Sequence, residues 1–222
     1  MEPQKSYIEH DFRAEIVRKL VHLSSLAFPL IYFFISKKLT LQIIIPLTLA
    51  FLFTDLARNF HKPTAKIFYR FFSFILRQHE RDTQTKNLNA ATWFFITATF
   101  CVIVFPKYVT VISFTIMLFS DAASALIGRR FGRTKIRGRS LEGGAAFVIV
   151  AVIVIMLTPK LEYQFGEYLI CSIAAVVGAV VEILSGDIIN DNIAIPLSIG
   201  ATMWLLYSLI YSSMNIYKFD II

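Results

Sequence analysis

The chain has 222 residues, of which 56% are hydrophobic, and carries a formal charge of +7 with mean hydropathy +0.64. So many long apolar runs exclude an ordinary soluble domain. The two cysteines, Cys101 and Cys171, lie in different runs without CxxC spacing, which argues against a disulfide framework or a zinc module.

Seven apolar stretches stand out: Leu20–Ile35, Leu39–Ala57, Leu88–Phe105, Tyr108–Ile127, Gly144–Leu157, Glu167–Leu184 and Ile193–Tyr211. A bilayer-crossing helix needs about 20 mostly apolar residues. Most runs approach that length and the fifth falls short. The pattern predicts an all-α, polytopic integral membrane protein with about seven transmembrane helices, folded as one domain over residues 1–222. The first nineteen residues are polar and no small-residue cleavage pattern follows the first run, so no removed signal peptide is expected. With seven crossings, seventeen lysines and arginines fall on the side of the N-terminus and five on the other. The positive-inside rule then places the N-terminus in the cytoplasm.

Before the first run, Glu15, Arg18, Lys19 and His22 are spaced at i, i+3, i+4 and i+7, on one helical face. A snorkelling basic collar with a Glu15–Lys19 pair is one reading of this face and a functional basic motif the other. His22, just inside the bilayer, needs a polar partner. The second run ends in Thr54-Asp55-Leu56-Ala57-Arg58, where an Asp55–Arg58 pair is the expected use of the acid. After Pro63, Lys66, Arg70, Ser73 and Arg77 line one stripe, with Ile67, Phe68, Phe71, Phe74 and Ile75 on the other face. That is the pattern of an amphipathic helix lying in the membrane interface. The polar loop His79-Glu80-Arg81-Asp82 follows, and Asn87 or Asn89 is placed to cap the third helix. Four histidines (His10, His22, His61, His79) share no ligand spacing, so no transition-metal site is expected.

The most informative stretch runs from Phe119 to Gly144. Asp121 sits in an apolar run, with small residues leading to Gly128 two helical turns later, roughly 10 Å away. Six cations follow (Arg129, Arg130, Arg133, Lys135, Arg137, Arg139), then Ser140, Glu142 and Gly143-Gly144. An acid, cations and glycines in this order suit a Mg²⁺-bound polyphosphate: the acid for the metal, the cations for oxygens, the glycines for close backbone approach. A cytoplasmic loop that is basic for topological reasons would also carry these charges. The sixth run holds Glu182 about one turn from its end, followed by Asp187 and Asp191. Asn190 and Asn192 are placed to cap the seventh helix, with Pro196 in its first turns. Capping leaves Glu182 unexplained, and an ionisable residue inside the membrane is by default a functional hypothesis.

On this topology the polar features gather at one face, as expected of an enzyme acting on a lipid headgroup with a polar cosubstrate. A transporter should instead place polar residues near mid-membrane and expose features to both sides. The combination of EIVRKLVHLSS, HERDTQTKNLNAATW, SDAASALIGRRFGRTKIRGRSLEGG and DNIAIPLSIG resembles the CTP-dependent lipid kinases: dolichol kinase, the phytol and farnesol kinases and the yeast-type diacylglycerol kinase. The resemblance covers roughly Glu15 to Gly200. The central block is also similar to the signature of CDP-diacylglycerol synthases, while Arg18-Lys19…His22 and the short chain favour the kinase branch.

The resemblance implies transfer of a phosphoryl group from CTP to the hydroxyl of a membrane lipid, a polyprenol, another isoprenoid alcohol or diacylglycerol, with Mg²⁺ as cofactor. Arg18 and Lys19 fall in its basic motif; Asp121 and Gly128 fall in its CTP-site signature, with the residues through Glu142 and Gly143. In the roles expected here, Asp121 binds Mg²⁺, joined by Glu142, Asp187 or Asp191. Arg129, Arg130, Lys135 and Arg139 hold phosphates with Arg18 and Lys19, and Gly128, Ser140 and Gly143 complete the nucleotide site. A carboxylate or His22 takes the hydroxyl proton. Arg139-Ser140 stands where relatives often carry a lysine before the Ser or Thr, giving a fork in place of a point charge. No GxxxxGK[ST] or protein-kinase motif is present. The alternatives are a phosphatidate cytidylyltransferase and a non-enzymatic membrane scaffold or transporter. No nucleic-acid partner is expected.

Overall fold

The computed structural model describes residues 16–60, 88–186, 189–211 and 214–221. The expected interfacial helix after Pro63, the His79–Asp82 loop, Glu15 and Asp187 lie outside the described residues.

Each of the seven apolar stretches forms a helix. They are α1 (Ile16–Phe34), α2 (Lys37–Phe60), α3 (Ala90–Val104), α4 (Lys107–Phe131), α5 (Leu141–Leu157), α6 (Phe165–Ser185) and α7 (Asp191–Ile210). The described chain is otherwise a two-strand hairpin, β1 (Lys135–Ile136) with β2 (Arg139–Ser140), a short 3₁₀ turn at Lys218–Ile221, and connections. Among the described residues α1, α2, α4, α6 and α7 are long and apolar enough to cross a membrane. α3 and α5 are apolar but have 15 and 17 residues, about 22–26 Å, short of a hydrocarbon core of roughly 30 Å. The chain is an all-α integral membrane protein. Its outer surface fits that reading, since large apolar side chains such as Phe34, Phe53, Phe165, Leu157 and Leu209 are more than two-thirds exposed.

Local chemistry sets the helix boundaries. Pro29 lacks an N–H, and just before it α1 tightens: Ser25 and Leu26 donate to the carbonyls three residues back, and the Ser25 carbonyl accepts from Phe28 at 3.0 Å. Asn89 caps α3 by accepting from the Thr92 N–H at 2.8 Å, and Asn190 caps α7 through the Asn192 N–H at 3.0 Å.

α4 is the central helix. It packs on α5, α7 and α1, and places Phe114, Ile116, Met117 and Leu118 in a core shared with Phe147, Ala151, Ala175 and Ile199. Phe28 of α1 sits edge-on to Phe94 and Phe114. Successive helices run in opposite directions, which separates two polar ends.

At the end holding the α1–α2 turn, lysines close off helix C-termini. Lys37 donates to the carbonyls of Ile103 and Phe105, at 3.2 and 3.4 Å, and Lys160 to those of Ile155 and Thr158, at 2.5 and 2.7 Å. Buried Glu167 accepts three backbone N–H groups, from Leu161, Glu162 and Gln164, at 2.8–3.0 Å. This end is occupied by structural polar contacts.

Candidate functional site

The opposite end gathers residues from α1, α4, β2, α6 and α7. Asp121, 3% exposed, lies in α4 with its Oδ2 against the Lys19 ammonium at 2.5 Å and the His22 Nδ1 at 3.5 Å. Both partners come from α1, one turn apart. Arg18 is half-buried on the same helix, four residues before His22. His22 Nε2 lies 3.1 Å from the Asn192 Oδ1 of α7, and the Asn192 amide nitrogen donates to the Ala90 carbonyl at 3.1 Å. That second bond orients the amide so that its oxygen faces the ring, which makes His22 Nε2 the donor.

A second cluster adjoins the first. Arg139 of β2 pairs with Asp191 at the start of α7 and sits 3.7 Å from Glu182 Oε1 of α6. Burial works against the guanidinium's charge. The carboxylates of Asp191, Glu182 and Asp121 outweigh it and hold the Arg139 proton more tightly than usual. Glu182, 1% exposed, also accepts the Ser124 hydroxyl of α4 at 2.8 Å. Among the described residues, Asp121 Oδ1 and Glu182 Oε2 are buried without any hydrogen-bond donor. A buried carboxylate oxygen left without a donor is costly, so two at one end mark a place built for something further.

The glycine-punctuated segment does two jobs. Ser140 is buried and caps α5 by accepting from the Gly143 N–H at 3.0 Å. A Cβ at Gly128 would lie 2.7 Å from its hydroxyl oxygen, and one at Gly143 would meet the Ser124 carbonyl at 2.8 Å. The glycines thus seat Ser140 between α4 and α5. The hairpin then turns back through Arg137 and Gly138, both with positive φ, as a two-residue turn between twisted strands requires. Arg137 donates to the Leu184 carbonyl at 2.9 Å, and its backbone lies against Gly186 at the end of α6.

The expected site residues therefore divide. Lys19, His22 and Asp121 come together, as do Arg139 and Asp191, which had been expected to hold phosphate and metal separately and here face each other. Arg129, Arg130 and Lys135 are exposed at the same end. Glu142 stands apart at the start of α5 and accepts the Thr134 N–H at 3.2 Å. Gly128, Ser140 and Gly143 form the helix junction just described. The sequence assigned no role to Ser124 and no specific one to Glu182, for which an acid inside an apolar run is the available signal; Asn192, expected as a cap with Asn190, instead faces His22 while Asn190 caps α7. Asp55 is structural: fully buried, it takes Arg58 at 3.2 Å, the Asn89 N–H and side-chain amide at 2.7 and 2.9 Å, and the Thr92 hydroxyl at 2.6 Å.

The donor set fits a hard cation in part. No three acid, histidine or cysteine side chains converge on one point among the described residues. Mg²⁺ does not need that, because it keeps several waters and takes one or two carboxylates with substrate phosphates. The donorless Asp121 Oδ1 has the chemistry that such a contact requires.

No family model matches the chain. An uncharacterised protein of Rickettsia prowazekii (strain Madrid E) is 31% identical over 193 residues, covering 85% of this chain and 92% of that protein. CTP-dependent diacylglycerol kinase 1 of Saccharomyces cerevisiae is 31% identical over 145 residues, covering 63% of this chain and 48% of the yeast protein. The match thus spans about half the yeast enzyme's length. No solved structure matches.

Proposed function

We propose that this chain, which belongs to the same family as the rickettsial protein, transfers a phosphoryl group from CTP to the hydroxyl of a membrane lipid. The observation that carries this reading is the buried Asp121, ion-paired with Lys19 yet keeping one oxygen without a donor, inside a ring of cations at one end of a membrane bundle. The partial similarity to a CTP-dependent diacylglycerol kinase supports the class of reaction. The lysine and arginine bias supports seven crossings with the N-terminus and this site facing the cytoplasm.

In the proposed reaction the lipid oxygen forms a bond to the γ-phosphorus, the bond from that phosphorus to the β-phosphate oxygen breaks, and CDP leaves. Such a transfer is mostly positioning and charge neutralisation. Lys19 and Arg18 reach the reacting end from α1, while Arg129, Arg130 and Lys135 offer charge from the hairpin side. Arg139, half-buried between Asp191 and Glu182, fixes β2 against α6 and α7 and directs a guanidinium into the site. Mg²⁺, when bound, would neutralise phosphate oxygens; Asp121 would hold it, with Asp191 and Asp187 as the further acids proposed for it, while Glu142, tied to the Thr134 N–H, stands apart.

The test uses purified protein in detergent with Mg²⁺ and CTP labelled at the γ-phosphate. Diacylglycerol, farnesol, geranylgeraniol, a long polyprenol and phosphatidate are offered separately, with ATP as a control donor. Label in an organic-phase product from one of the alcohols is the expected result and identifies the acceptor. Pyrophosphate released only with phosphatidate would overturn the kinase reading in favour of a cytidylyltransferase. Asp121→Asn should lower turnover at least 100-fold; a scaffold or transporter would tolerate it.

A further inference from the structure

We propose that Glu182 takes the proton of the lipid hydroxyl as the phosphoryl group is transferred. This assignment rests on the kinase reading above and adds to it the group that activates the acceptor.

The residues able to do so can be taken in turn among the described ones. Lys19 is the ammonium partner of Asp121. His22 presents an N–H at Nε2, because the Asn192 amide that it faces is turned by its bond to the Ala90 carbonyl, and its other nitrogen faces Asp121. Asp121 is shared between Lys19 and His22 of α1, and Asp191 is bound to Arg139. Glu142 is tied to the Thr134 N–H away from the cluster, and Asp55 accepts from Asn89 and Thr92 on both oxygens.

Glu182 differs in that, among the described residues, no cation lies within hydrogen-bond distance of it. Its Oε1 is fixed by the Ser124 hydroxyl and lies at 3.7 Å from Arg139, beyond a hydrogen bond, while Oε2 is buried and has no donor. One oxygen holds the carboxylate in place and the other is left to accept. Glu182 lies three residues inside the end of α6, about 4–5 Å from it, at the same end of the bundle as Asp121 and Arg139.

In the step, the acceptor O–H proton passes to Glu182 Oε2 as the oxygen bonds to the γ-phosphorus and CDP departs. The proton is then released to water, restoring the carboxylate.

The test compares wild type, Glu182→Gln and Glu182→Asp as full-length proteins in detergent. Label transfer from CTP is measured with dioctanoylglycerol, farnesol and a long polyprenol in parallel, CTP affinity by equilibrium dialysis with Mg²⁺, and the Mg²⁺ dependence of the rate. A general base is worth roughly 10²–10⁴ in rate. E182Q is expected to lose at least 100-fold in kcat, with CTP affinity and half-saturating Mg²⁺ within about threefold of wild type, and E182D to keep more activity than E182Q. E182Q turnover within fivefold of wild type overturns the assignment. So does a variant that loses CTP binding or needs much more Mg²⁺, since Glu182 would then belong to the nucleotide cradle. Wild type that phosphorylates no lipid overturns the kinase reading and this assignment with it. If E182Q does not elute as a folded species, E182D decides: a loss of at least tenfold in kcat at unchanged CTP affinity supports the role, and an unchanged kcat overturns it.

Discussion

Two buried acids close to the same face show how position decides use. Asp55 sits five residues before the end of α2 and Asp121 near the middle of α4, and each has a cationic neighbour. Asp55 is saturated by the first turn of α3, and its oxygens have no capacity left for a ligand. Asp55→Ala would leave the Asn89 N–H, its side-chain amide and the Thr92 hydroxyl without their acceptor, at about 1–3 kcal/mol for each donor that water fails to reach. The expected result is a melting temperature several degrees lower, with CTP affinity of the folded fraction unchanged, measured by thermal unfolding and dialysis. Gly128→Ala acts differently. The added methyl meets the Ser140 hydroxyl at 2.7 Å, so the α4–α5 junction must shift, costing about 1–3 kcal/mol. Turnover should fall with stability, because Ser124 and Ser140 hang on the same junction. A variant with wild-type unfolding would contradict this packing.

At the level of elements, the hairpin joins three helices to one cluster. Its turn is pinned by Arg137 on the C-terminus of α6, its second strand carries Arg139 to α7, and its end caps α5. Gly186 has φ +52° and an added Cβ would approach the Arg137 carbonyl at 2.8 Å. Gly186→Ala should therefore loosen the hairpin, and protease cleavage within residues 133–139 should become faster while the helices stay intact. The seven helices were legible in the sequence because long apolar runs are a strong signal, while the sequence narrowed the caps only to Asn87 or Asn89 and to Asn190 and Asn192, of which Asn89 and Asn190 cap α3 and α7. The hairpin was not legible. Two-residue strands carry no periodicity, and Arg137 in the left-handed region has no compositional mark beyond the glycine after it. The site was legible in part: Lys19, His22 and Asp121 fall in recognisable stretches. The pairing of Arg139 with Asp191 and the orienting role of Asn192 depend on contacts between residues 52 and 102 positions apart.

For the whole molecule, the division of labour between the two ends is the main feature. At the α1–α2 end Lys37, Lys160 and Lys218 are bound to carbonyls, and at the other end cations face acids that keep donorless oxygens. Single cysteines at exposed Arg130 and at exposed Lys38, in a chain with Cys101 and Cys171 replaced by alanine, should label from opposite sides of sealed vesicles. Labelling of both from the same side would refute the proposed topology.

The Lys19–Asp121 pair has a consequence for how the chain is made. An aspartate near the middle of an inserting helix opposes partitioning by about 2.5–3.5 kcal/mol. Here its counter-charge is supplied by α1, which leaves the ribosome about a hundred residues earlier, at a sequence separation of 102. α4 should therefore enter the membrane more completely when α1 is already there to meet it. In a cell-free translation system with microsomes, protease protection of α4 is expected to drop when α1 is deleted or Lys19→Met is introduced. Adding Asp121→Asn should restore it, because the helix then no longer carries a charge that has to find a partner.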